Sequence, residues 1–557
     1  MNHPIANVDR NPDPVTLEVV RNKLVSIADE MQLTLLRSSF SPIVKEGLDA
    51  SASLFTLAGE TLAQSCAIPI HLATLIPAVS AMLKAYPVDS MQDGDAYILN
   101  DPYTGGTHLP DIAVMMPIFY QGKPFALAAA MTHHGDVGGM TPGSLPTNAT
   151  EIFQEGLRIP PLKLMEAGKY NDTFVRLARQ NVRLPDAFMG DLNAQVAACT
   201  VGRRRVTALC EQMGETELRA IFTTLLDRSE KMTRDVLRMV PEGCYRYTDY
   251  LDNDGIELDQ PVRIEVAVTI RDGSFAVDFT GTSPQLKGPF NCVESGVQAA
   301  AYFAVRALTD PSIPTNAGCF RPVSFTLPSG TLVNPVEPAP VNSRTSTIKR
   351  ITGAIISALA DVLPERVPAG SAGEMLVVAF GGTNREGRRF ISGELIASGS
   401  GACNDRDGVD VIETDASNCM NLPVEALEMD APIRIWQSML VPDSGGAGQY
   451  RGGLGLQREY EVLEGEVSLT YRGERHNSSA RGLAGGEDGG RAFGRIIRSN
   501  GQTVDIPSKM VTRMAAGDRL LVRTAGGAGW GKKEMRDSQA VKQDIADGKV
   551  SAVQAGL

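Results

Sequence analysis

Three of the six histidines in this 557-residue chain lie in two short polar segments that flank an apolar hairpin. His108 and Asp111 stand before the first apolar stretch, and His133 and His134 directly follow the second. Imidazole nitrogens and carboxylate oxygens are ordinary ligands of divalent transition metals. These residue types and their order therefore predict a metal site at one end of a β-sheet.

The two apolar stretches are rich in β-branched and small residues and predict antiparallel strands joined by a glycine turn. They are residues 112–120 and 125–132. Folding the chain back about Gly122 places Asp111 opposite His133, and opposite residues of an antiparallel pair have Cβ atoms roughly 4.5–5.5 Å apart. Pro110 argues against a helix interior, so His108 and Asp111 are expected on a turn. The competing interpretation is a polar sheet end whose histidines only cap backbone groups.

Two acidic residues precede the hairpin in a loop that contains a glycine. Either Glu46 or Asp49 could supply a further oxygen ligand, and the alternative for both is a solvated loop carboxylate or a turn cap. His71 stands alone in apolar surroundings, which is typical of a core or capping histidine whose hydrogen bonds are satisfied rather than of a ligand.

The periodicity of the apolar residues predicts an α+β fold with several domains. Apolar residues at helical spacing predict a helix over 14–37, with Asp13 as its N-cap, and further helices over 172–240. Strict alternation over 262–270 and 275–279 predicts a second antiparallel hairpin. We therefore expect mixed antiparallel sheets with helices and a glycine-rich β region at the C-terminus. The expected domains are 1–240, with the metal site, 241–429, an α+β domain, and 430–557, which is β-rich.

Composition and charge exclude several classes of protein. The net charge of −12 and pI near 5.2, without clustered basic residues except Arg203-Arg204-Arg205, argue against nucleic acid and anionic membranes as partners. No run approaches the roughly 18 apolar residues of a membrane span, and residues 1–14 do not resemble a signal peptide. The eight cysteines form no Cys-x-x-Cys pair, which argues against a thiolate zinc site or a disulfide framework. A soluble, cytoplasmic protein is expected.

Two glycine-dense runs near the C-terminus superficially resemble nucleotide loops. The run over 443–455 lacks a strand–loop–helix context and is expected to form tight turns between strands. The run that ends at Lys533 has the glycine and lysine spacing of a phosphate loop. However, it places Lys533 where such a loop needs Ser or Thr to bind magnesium, so we reject an ATP site there.

Taken together, these segments resemble the hydantoinase B/oxoprolinase family over nearly the whole chain. The most specific matches are Asn100-Asp101-Pro102-Tyr103, Gly105-Gly106-Thr107-His108-Leu109-Pro110-Asp111 and His133-His134-Gly135-Asp136-Val137-Gly138-Gly139. Further matches are Gln154-Glu155-Gly156-Leu157, Asp443-Ser444-Gly445-Gly446-Ala447-Gly448 and Tyr450-Arg451-Gly452-Gly453-Leu454-Gly455. The chain departs from the family near 525–530, where members usually have a more continuous glycine run.

The resemblance implies a B-type subunit that works with an A-type ATPase subunit, in an A2B2-type hetero-oligomer. The partner would bind ATP and magnesium and phosphorylate the carbonyl of a small cyclic amide. The resemblance also implies a divalent metal in this chain, zinc, manganese or iron. Its ligands would match His108, Asp111 and His133, with Asp49 as the best match for an upstream acidic ligand.

The leading hypothesis is an ATP-dependent amidohydrolase of the hydantoinase, oxoprolinase or lactamase kind. In that reaction His134, Asp136 or Glu155 would relay a proton, although His134 could instead orient a metal ligand. The second hypothesis is a subunit of a ketone carboxylase of the acetone or acetophenone type, and the third a scaffold whose metal only holds the hairpin. The sequence leaves open which ring or ketone is used, which metal is bound, the subunit stoichiometry, and the choice between Asp49 and Glu46.

Overall fold

The computed structural model of the protein describes residues 12–65 and 68–555. The expectation about residues 1–14 therefore falls almost wholly outside the described residues, and so does Cys66. Within the described part the chain forms four sheets with helices packed on them. This is the mixed, multidomain α+β fold that the sequence predicts. In the same part of the chain, no helix has both the length and the apolar composition needed to cross a bilayer.

The first sheet has seven antiparallel strands in the order β2-β1-β5-β4-β3-β6-β7. The strands are β1 Ala50–Phe55, β2 Thr61–Gln64, β3 Ala96–Leu99, β4 Asp111–Tyr120, β5 Lys123–His133, β6 Leu162–Glu166 and β7 Lys169–Tyr170. The hairpin β4–β5 lies at its centre and is buried on both faces. That burial explains why both strands are continuously apolar instead of alternating with polar residues.

Helices cover both faces of the first sheet. They are α1 Pro14–Ser38, α2 Pro42–Lys45, α3 Leu75–Ala85, α4 Asp172–Asn181, α5 Pro185–Met213 and α6 Glu215–Leu237. Helices α1 and α5 pack on one face, in one apolar core, and α3 packs on the other face, in a second core. As predicted, the Asp13 side chain caps α1 by accepting a hydrogen bond from the backbone N–H of Thr16 at 3.0 Å.

The second sheet follows α6 and has the order β11-β10-β9-β8. Its strands are β8 Gly243–Leu251, β9 Val262–Arg271, β10 Ser274–Asp278 and β11 Val323–Thr326, and β10 and β11 run parallel. The helices of this region are α7 Glu294–Leu308, α8 Ala317–Phe320 and α9 Arg344–Ala358. Helices α7 and α9 share a core with this sheet. The first turn of α9 is buried, and Arg344 at its start contacts Asp111 at the beginning of β4 in the first sheet.

The third and fourth sheets share one apolar core. The third has the order β13-β12-β16-β19, with β12 Leu376–Thr383, β13 Arg389–Ile396, β16 Glu466–Arg472 and β19 Lys509–Ala515. The fourth has the order β14-β15-β20-β17-β18, with β14 Ile433–Leu440, β15 Leu456–Val462, β17 Phe493–Ile497, β18 Thr503–Asp505 and β20 Arg519–Arg523. Helices α10 Val424–Asp430 and α11 Ser538–Ala546 accompany them. The third sheet combines strands from both sides of residue 430, and the domain limits given above stay predictions.

The glycine-dense runs form a layer of closely packed segments outside the named strands and helices. We call it the glycine layer, residues 399–402, 444–455, 482–490 and 525–530. The segment 525–530 hydrogen-bonds to several neighbours at once: the N–H of Gly527 donates to the carbonyl of Gly453, and its carbonyl accepts from Gly446, both at 2.9 Å. The run over 443–455 lies between β14 and β15, as expected, with a turn at 442–443 and bends at 445 and 448–449. The sequence did not predict that its glycines also permit close contact with other backbone segments.

Candidate metal centre

The hairpin β4–β5 has the register that the sequence predicts, with Asp111 directly opposite His133. The Oδ1 atom of Asp111 lies 2.9 Å from Nε2 of His108 and 3.4 Å from Nδ1 of His133. One ligand atom from each of these three residues lies within 4.8 Å of the others. The three central residues of the predicted metal site therefore come together in space.

Asp49 reaches the same cluster because β1 is the neighbour of β5. Ala50 pairs with Thr132, so the preceding residue lies beside His133, whose backbone N–H donates to the Asp49 carbonyl at 3.1 Å. The Asp49 carboxylate lies 3.9 Å from Nδ1 of His133. Glu46, the alternative upstream residue, is exposed to solvent. The geometry thus favours Asp49 over Glu46.

His71 also belongs to the cluster, contrary to its interpretation as a satisfied core histidine. Its side chain is 1% exposed, and its Nε2 atom lies 3.6 Å from Asp49 and 3.9 Å from Asp111. Its Nδ1 atom has no hydrogen-bond partner within the described residues. The short 3-10 helix Pro69–Leu72 carries His71 to this place. No spacing in the sequence relates it to the hairpin, so only its apolar surroundings could be interpreted.

Two further polar side chains fix the Asp111 carboxylate. The Thr107 hydroxyl donates to Oδ2 at 2.6 Å, and the Arg344 guanidinium donates to the same oxygen. Arg344 begins α9, more than two hundred residues after the hairpin. Sequence reasoning did not identify Arg344, because no motif or spacing in the sequence relates it to the hairpin.

The second ring nitrogen of His108, Nδ1, contacts a backbone carbonyl. Its Nδ1 atom lies 2.9 Å from the backbone carbonyl of Asn342. Because a carbonyl can only accept, Nδ1 carries a proton, and Nε2, which lies 2.9 Å from Oδ1 of Asp111, is the nitrogen that faces the cluster. With Nδ1 protonated in this way, Nε2 is the ring atom available to bind a metal.

Glu155, a predicted proton-transfer residue, supports that arrangement. Its carboxylate accepts hydrogen bonds from the backbone N–H groups of Val341 at 3.1 Å and Asn342 at 2.9 Å. Burial raises the pKa of Glu155 to about 8, against the opposing effect of these hydrogen bonds. Glu155 therefore lies behind His108, connected to it through Asn342, and is not part of the cluster itself.

The other two predicted proton-transfer residues also have protein partners. His134 is fully buried, with Nε2 3.1 Å from the Oε1 atom of Gln195. The Asp136 carboxylate accepts from the backbone N–H groups of Gly138 and Arg183 and from the Arg183 guanidinium. Asp136 nevertheless lines the cavity that contains the cluster. The catalytic roles of His134, Asp136 and Glu155 stay predictions.

The electrostatics of the cluster suit a cation. Burial lowers the pKa of His108 to about 4, with a further contribution from the positive charge of Arg344, so the imidazole is neutral at physiological pH. Burial opposes ionisation of Asp111, but His108 and Arg344 hold the pKa of this carboxyl well below its usual value. Neutral imidazoles and ionised carboxylates are the ligating forms of these side chains.

The cluster lies in a cavity of about 320 Å³. Much of the lining is apolar and comes from distant parts of the chain, including Phe40, Ile70, Phe188, Val377, Phe390 and Leu422. Arg344 and Arg472 also line it. A concave, mainly apolar cavity with a few converging polar groups is the usual form of a small-molecule site.

The residues present fit a divalent metal. His108, His133, Asp111 and Asp49 supply two nitrogens and carboxylate oxygens, and the partner of His108 Nδ1 is the kind that orients ligating histidines. The Nε2 atom of His71 is a further nitrogen beside the cluster. Such mixed N/O sets accept zinc, manganese or iron.

Comparisons with known proteins identify the family. The sequence model of the family described as Hydantoinase B/oxoprolinase matches residues 13–533. The chain belongs to this family. It is 33% identical to the beta subunit of the caprolactamase of Pseudomonas jessenii, over 97% of this chain and 94% of that protein. It is 31% identical to the putative B-type subunit of the D-/L-hydantoinase of Pseudomonas sp. (strain NS671), over 98% and 94% of the two chains.

Two solved structures have the same fold. The crystal structure of the ATP-dependent caprolactamase from Pseudomonas jessenii superposes with a TM-score of 0.90 at 32% identity, over 98% of this chain and 96% of that one. The nucleotide-free structure of acetone carboxylase superposes with a TM-score of 0.91 at 23% identity, over 98% of this chain and 79% of that one. At that lower identity the likeness to acetone carboxylase shows the fold alone.

Proposed function

We propose that this chain is the B-type component of an ATP-dependent cyclic-amide hydrolase, and that it opens a ring whose carbonyl a partner subunit has phosphorylated. The observation that carries the proposal is the cluster of His108, Asp111 and His133 at a largely apolar cavity of about 320 Å³. An apolar cavity of this size suits a small lactam or hydantoin ring. The polar cluster then contacts the end of the ring that carries the reacting carbonyl carbon.

Activation by phosphorylation addresses the main chemical difficulty of the reaction. Amide resonance makes the carbonyl carbon a poor electrophile, and a phosphate ester on the carbonyl oxygen removes that resonance. After water adds to this carbon, the C–N bond breaks and the ring nitrogen takes a proton. Hydrolysis of the resulting acyl phosphate then releases phosphate and the carboxylate. We reject the run ending at Lys533 as an ATP site, so ATP and magnesium belong to an A-type partner. Relatives named as beta or B-type subunits support a hetero-oligomer, for which we propose an A2B2 arrangement.

The residues of this chain divide the remaining tasks. A divalent metal held by His108, Asp111, His133 and Asp49 would supply Lewis acidity when bound. Arg344 and Thr107 hold Asp111 in its ligating position.

Three residues are proposed to assist the chemistry from around the cluster. Asp136 lines the cavity and is the proposed proton-transfer residue. Glu155 and His134, which contact protein groups behind the cluster, are proposed to position it.

The alternative of a ketone carboxylase component has less support. The likeness to acetone carboxylase lies at 23% identity and covers 79% of that chain. The caprolactamase is 32% identical and nearly equal in extent. We therefore give the hydrolase priority and use the carboxylase reaction as the second arm of the test.

The first experiment measures metal content in the purified protein beside His108→Ala and, as a matched control, His476→Ala. His476 is a largely buried histidine that contacts Tyr471, outside the cluster. We expect about one metal per chain in the wild type and in His476→Ala, and loss of it in His108→Ala. A folded wild type without metal after growth in zinc, manganese and iron would contradict the proposal and favour a scaffolding role.

The second experiment measures ADP release by the complex with its ATPase partner. We expect release that depends on a lactam or hydantoin and not on bicarbonate. Release that requires a ketone and bicarbonate would instead assign the carboxylase reaction.

A further inference from the structure

Arg472 is buried with unsatisfied hydrogen-bonding groups. It is the last residue of β16, and only 4% of the residue is exposed. Its Nε and Nη1 atoms have no hydrogen-bond partner, and its guanidinium forms no ion pair within the described part of the chain. A buried cation without a counter-ion is costly, so such groups are normally paired.

A nearby arginine on the neighbouring sheet shows the usual arrangement. Arg458, on β15, is 5% exposed and pairs with the Glu394 carboxylate. Glu394 also lines the cavity, but Arg458 and the Tyr460 hydroxyl already occupy its oxygens. Glu394 is thus committed elsewhere. The buried Glu474 carboxylate favours the charge of Arg472 but forms its ion pair with Lys509 at 2.6 Å, so Arg472 has no ion pair of its own among the described residues.

A second cation stands beside Arg472. Arg344 and Arg472 line the same cavity. Burial lowers the pKa of Arg472 to about 10, with a further contribution from the positive charge of Arg344 and an opposing one from Glu474. Arg344 also contacts Asp111, and both arginines line the same cavity as His108 and His133. The cavity wall therefore has a positively charged region beside the His/Asp cluster, in which Arg344 pairs with Asp111 and Arg472 has no ion pair among the described residues, while much of the remaining wall is apolar.

We propose that Arg472, with Arg344 beside it, binds an anionic oxygen group on the molecule that occupies the cavity. A guanidinium offers parallel N–H donors that match the oxygens of a phosphoryl or carboxylate group. This inference rests on the proposed function and deepens it. The substrate class becomes a small apolar ring or chain that carries one oxyanion, either the phosphoryl ester of the activated amide or the carboxylate of the opened product.

A role limited to packing is the competing explanation, and stability distinguishes the two. If Arg472 served the fold, Arg472→Gln would lower the melting temperature. If it serves a ligand, replacing an unpaired buried charge by a neutral amide leaves the melting temperature of the free protein unchanged or raises it. This trade between stability and binding is measurable without any substrate.

The direct test is isothermal titration calorimetry on the full chain after metal removal by a chelator, with inorganic phosphate and, separately, acetate. The variants are Arg472→Gln, Arg472→Lys and Arg513→Gln. Arg513 lies on β19 of the same sheet, with 77% of its side chain exposed, and controls for the loss of one positive charge. We expect binding about tenfold weaker or more in Arg472→Gln, an intermediate loss in Arg472→Lys, and less than a twofold change in Arg513→Gln.

The two anions identify the source of the oxyanion. Tighter binding of phosphate assigns the phosphoryl ester, and tighter binding of acetate assigns the carboxylate. Equal binding by wild type and Arg472→Gln overturns the proposal, and so does a wild type that binds neither anion.

Failure of this inference is separable from failure of the proposed function. Phosphate binding that depends on Arg472, in a protein whose complex releases no ADP with any lactam, keeps the anion site and removes the proposed reaction. An active complex in which Arg472→Gln changes neither kcat nor KM keeps the reaction and removes the anion site.

Discussion

At the end of the hairpin β4–β5, polar side chains contact one another. In the glycine layer, by comparison, the lack of side chains allows backbone segments to pack closely. Asp111 contacts His108, His133 and Arg344 through its two oxygens. In the glycine layer, by contrast, a Cβ atom on Gly527 would lie 1.8 Å from the carbonyl oxygen of Ser400. The first region is thus sensitive to the chemistry of each residue and the second to its volume.

The difference separates two kinds of sequence motif. A histidine or aspartate motif can be tested by ligand binding, because its side chains contact a ligand or each other. A glycine motif that resembles a nucleotide loop can instead be a packing surface, where backbone N–H and carbonyl groups of several segments form hydrogen bonds with one another. Four predictions test this separation, starting with the largest effect.

Gly527→Ala should destabilise the protein strongly, by about 3 kcal/mol or more, because the added methyl group overlaps backbone that cannot rotate away. The measurement is the urea unfolding midpoint. Gly353→Ala is the control, since Gly353 lies within α9 and its Cβ would have nothing within 4 Å. That change should stabilise by about 0.5–1 kcal/mol, as alanine does in helices. Equal effects of the two substitutions would contradict the packing role of the glycine layer.

Asp49→Asn should weaken metal binding by about tenfold or more while leaving the unfolding midpoint of the metal-free protein nearly unchanged. The reason is the loss of a charged oxygen beside His133, with retention of the backbone hydrogen bond between these two residues. Glu46→Gln is the matched control on the same loop and should change affinity less than twofold, since Glu46 is exposed. Competitive chelator titration measures both. A larger effect of Glu46→Gln would reverse the assignment of the upstream ligand.

Thr107→Val should weaken metal binding by about tenfold, because it removes the hydrogen bond that orients Asp111. Thr132→Val makes the same chemical change on β5, at a buried hydroxyl that has no hydrogen-bond partner within the described residues. It should leave metal affinity unchanged and raise stability by about 1 kcal/mol. The chelator titration and the unfolding midpoint together distinguish the two. If both threonines affected the metal equally, the role of Thr107 would be general packing of the hairpin.

Glu155→Gln should change how stability depends on pH. The pKa of Glu155 is about 8 in the folded protein and 4.5 as its ordinary value, so between these limits the folded state binds more protons than the unfolded state. Wild-type stability should therefore fall as pH rises from about 4.5 to 8, relative to the variant. Urea unfolding of the two metal-free proteins at several pH values across that window measures the difference. Parallel curves would mean that Glu155 ionises normally behind Asn342.

Much of the first sheet was predictable because its information is local. The strands β4 and β5 are adjacent in the sequence, so the turn at Gly122 fixes their register and places Asp111 opposite His133. The helix α1 was equally accessible, from its N-cap and its apolar spacing. The position of Asp49 followed less directly, because it depends on β1 pairing with β5.

The cation side of the site was not predictable in the same way. Arg344 and Arg472 come from the start of α9 and the end of β16, more than two hundred residues from the hairpin. His71 comes from a short 3-10 helix without a spacing signal. No motif or spacing marks any of these three residues in its own segment. Each reaches the site only because distant segments of the chain pack together.

The sequence by itself determined the family, the α+β class, the hairpin and the three residues at the centre of the His/Asp cluster. These features depend on motifs and on pairing between neighbouring strands, whose geometry is set by periodicity and turn chemistry. The tertiary structure alone decided that His71 and Arg344 join the cluster, that Glu155 lies behind it, and that Arg472 is buried without an ion pair among the described residues. The physical reason is that burial and charge pairing depend on which distant segments pack together, and no short-range pattern in a chain encodes that choice.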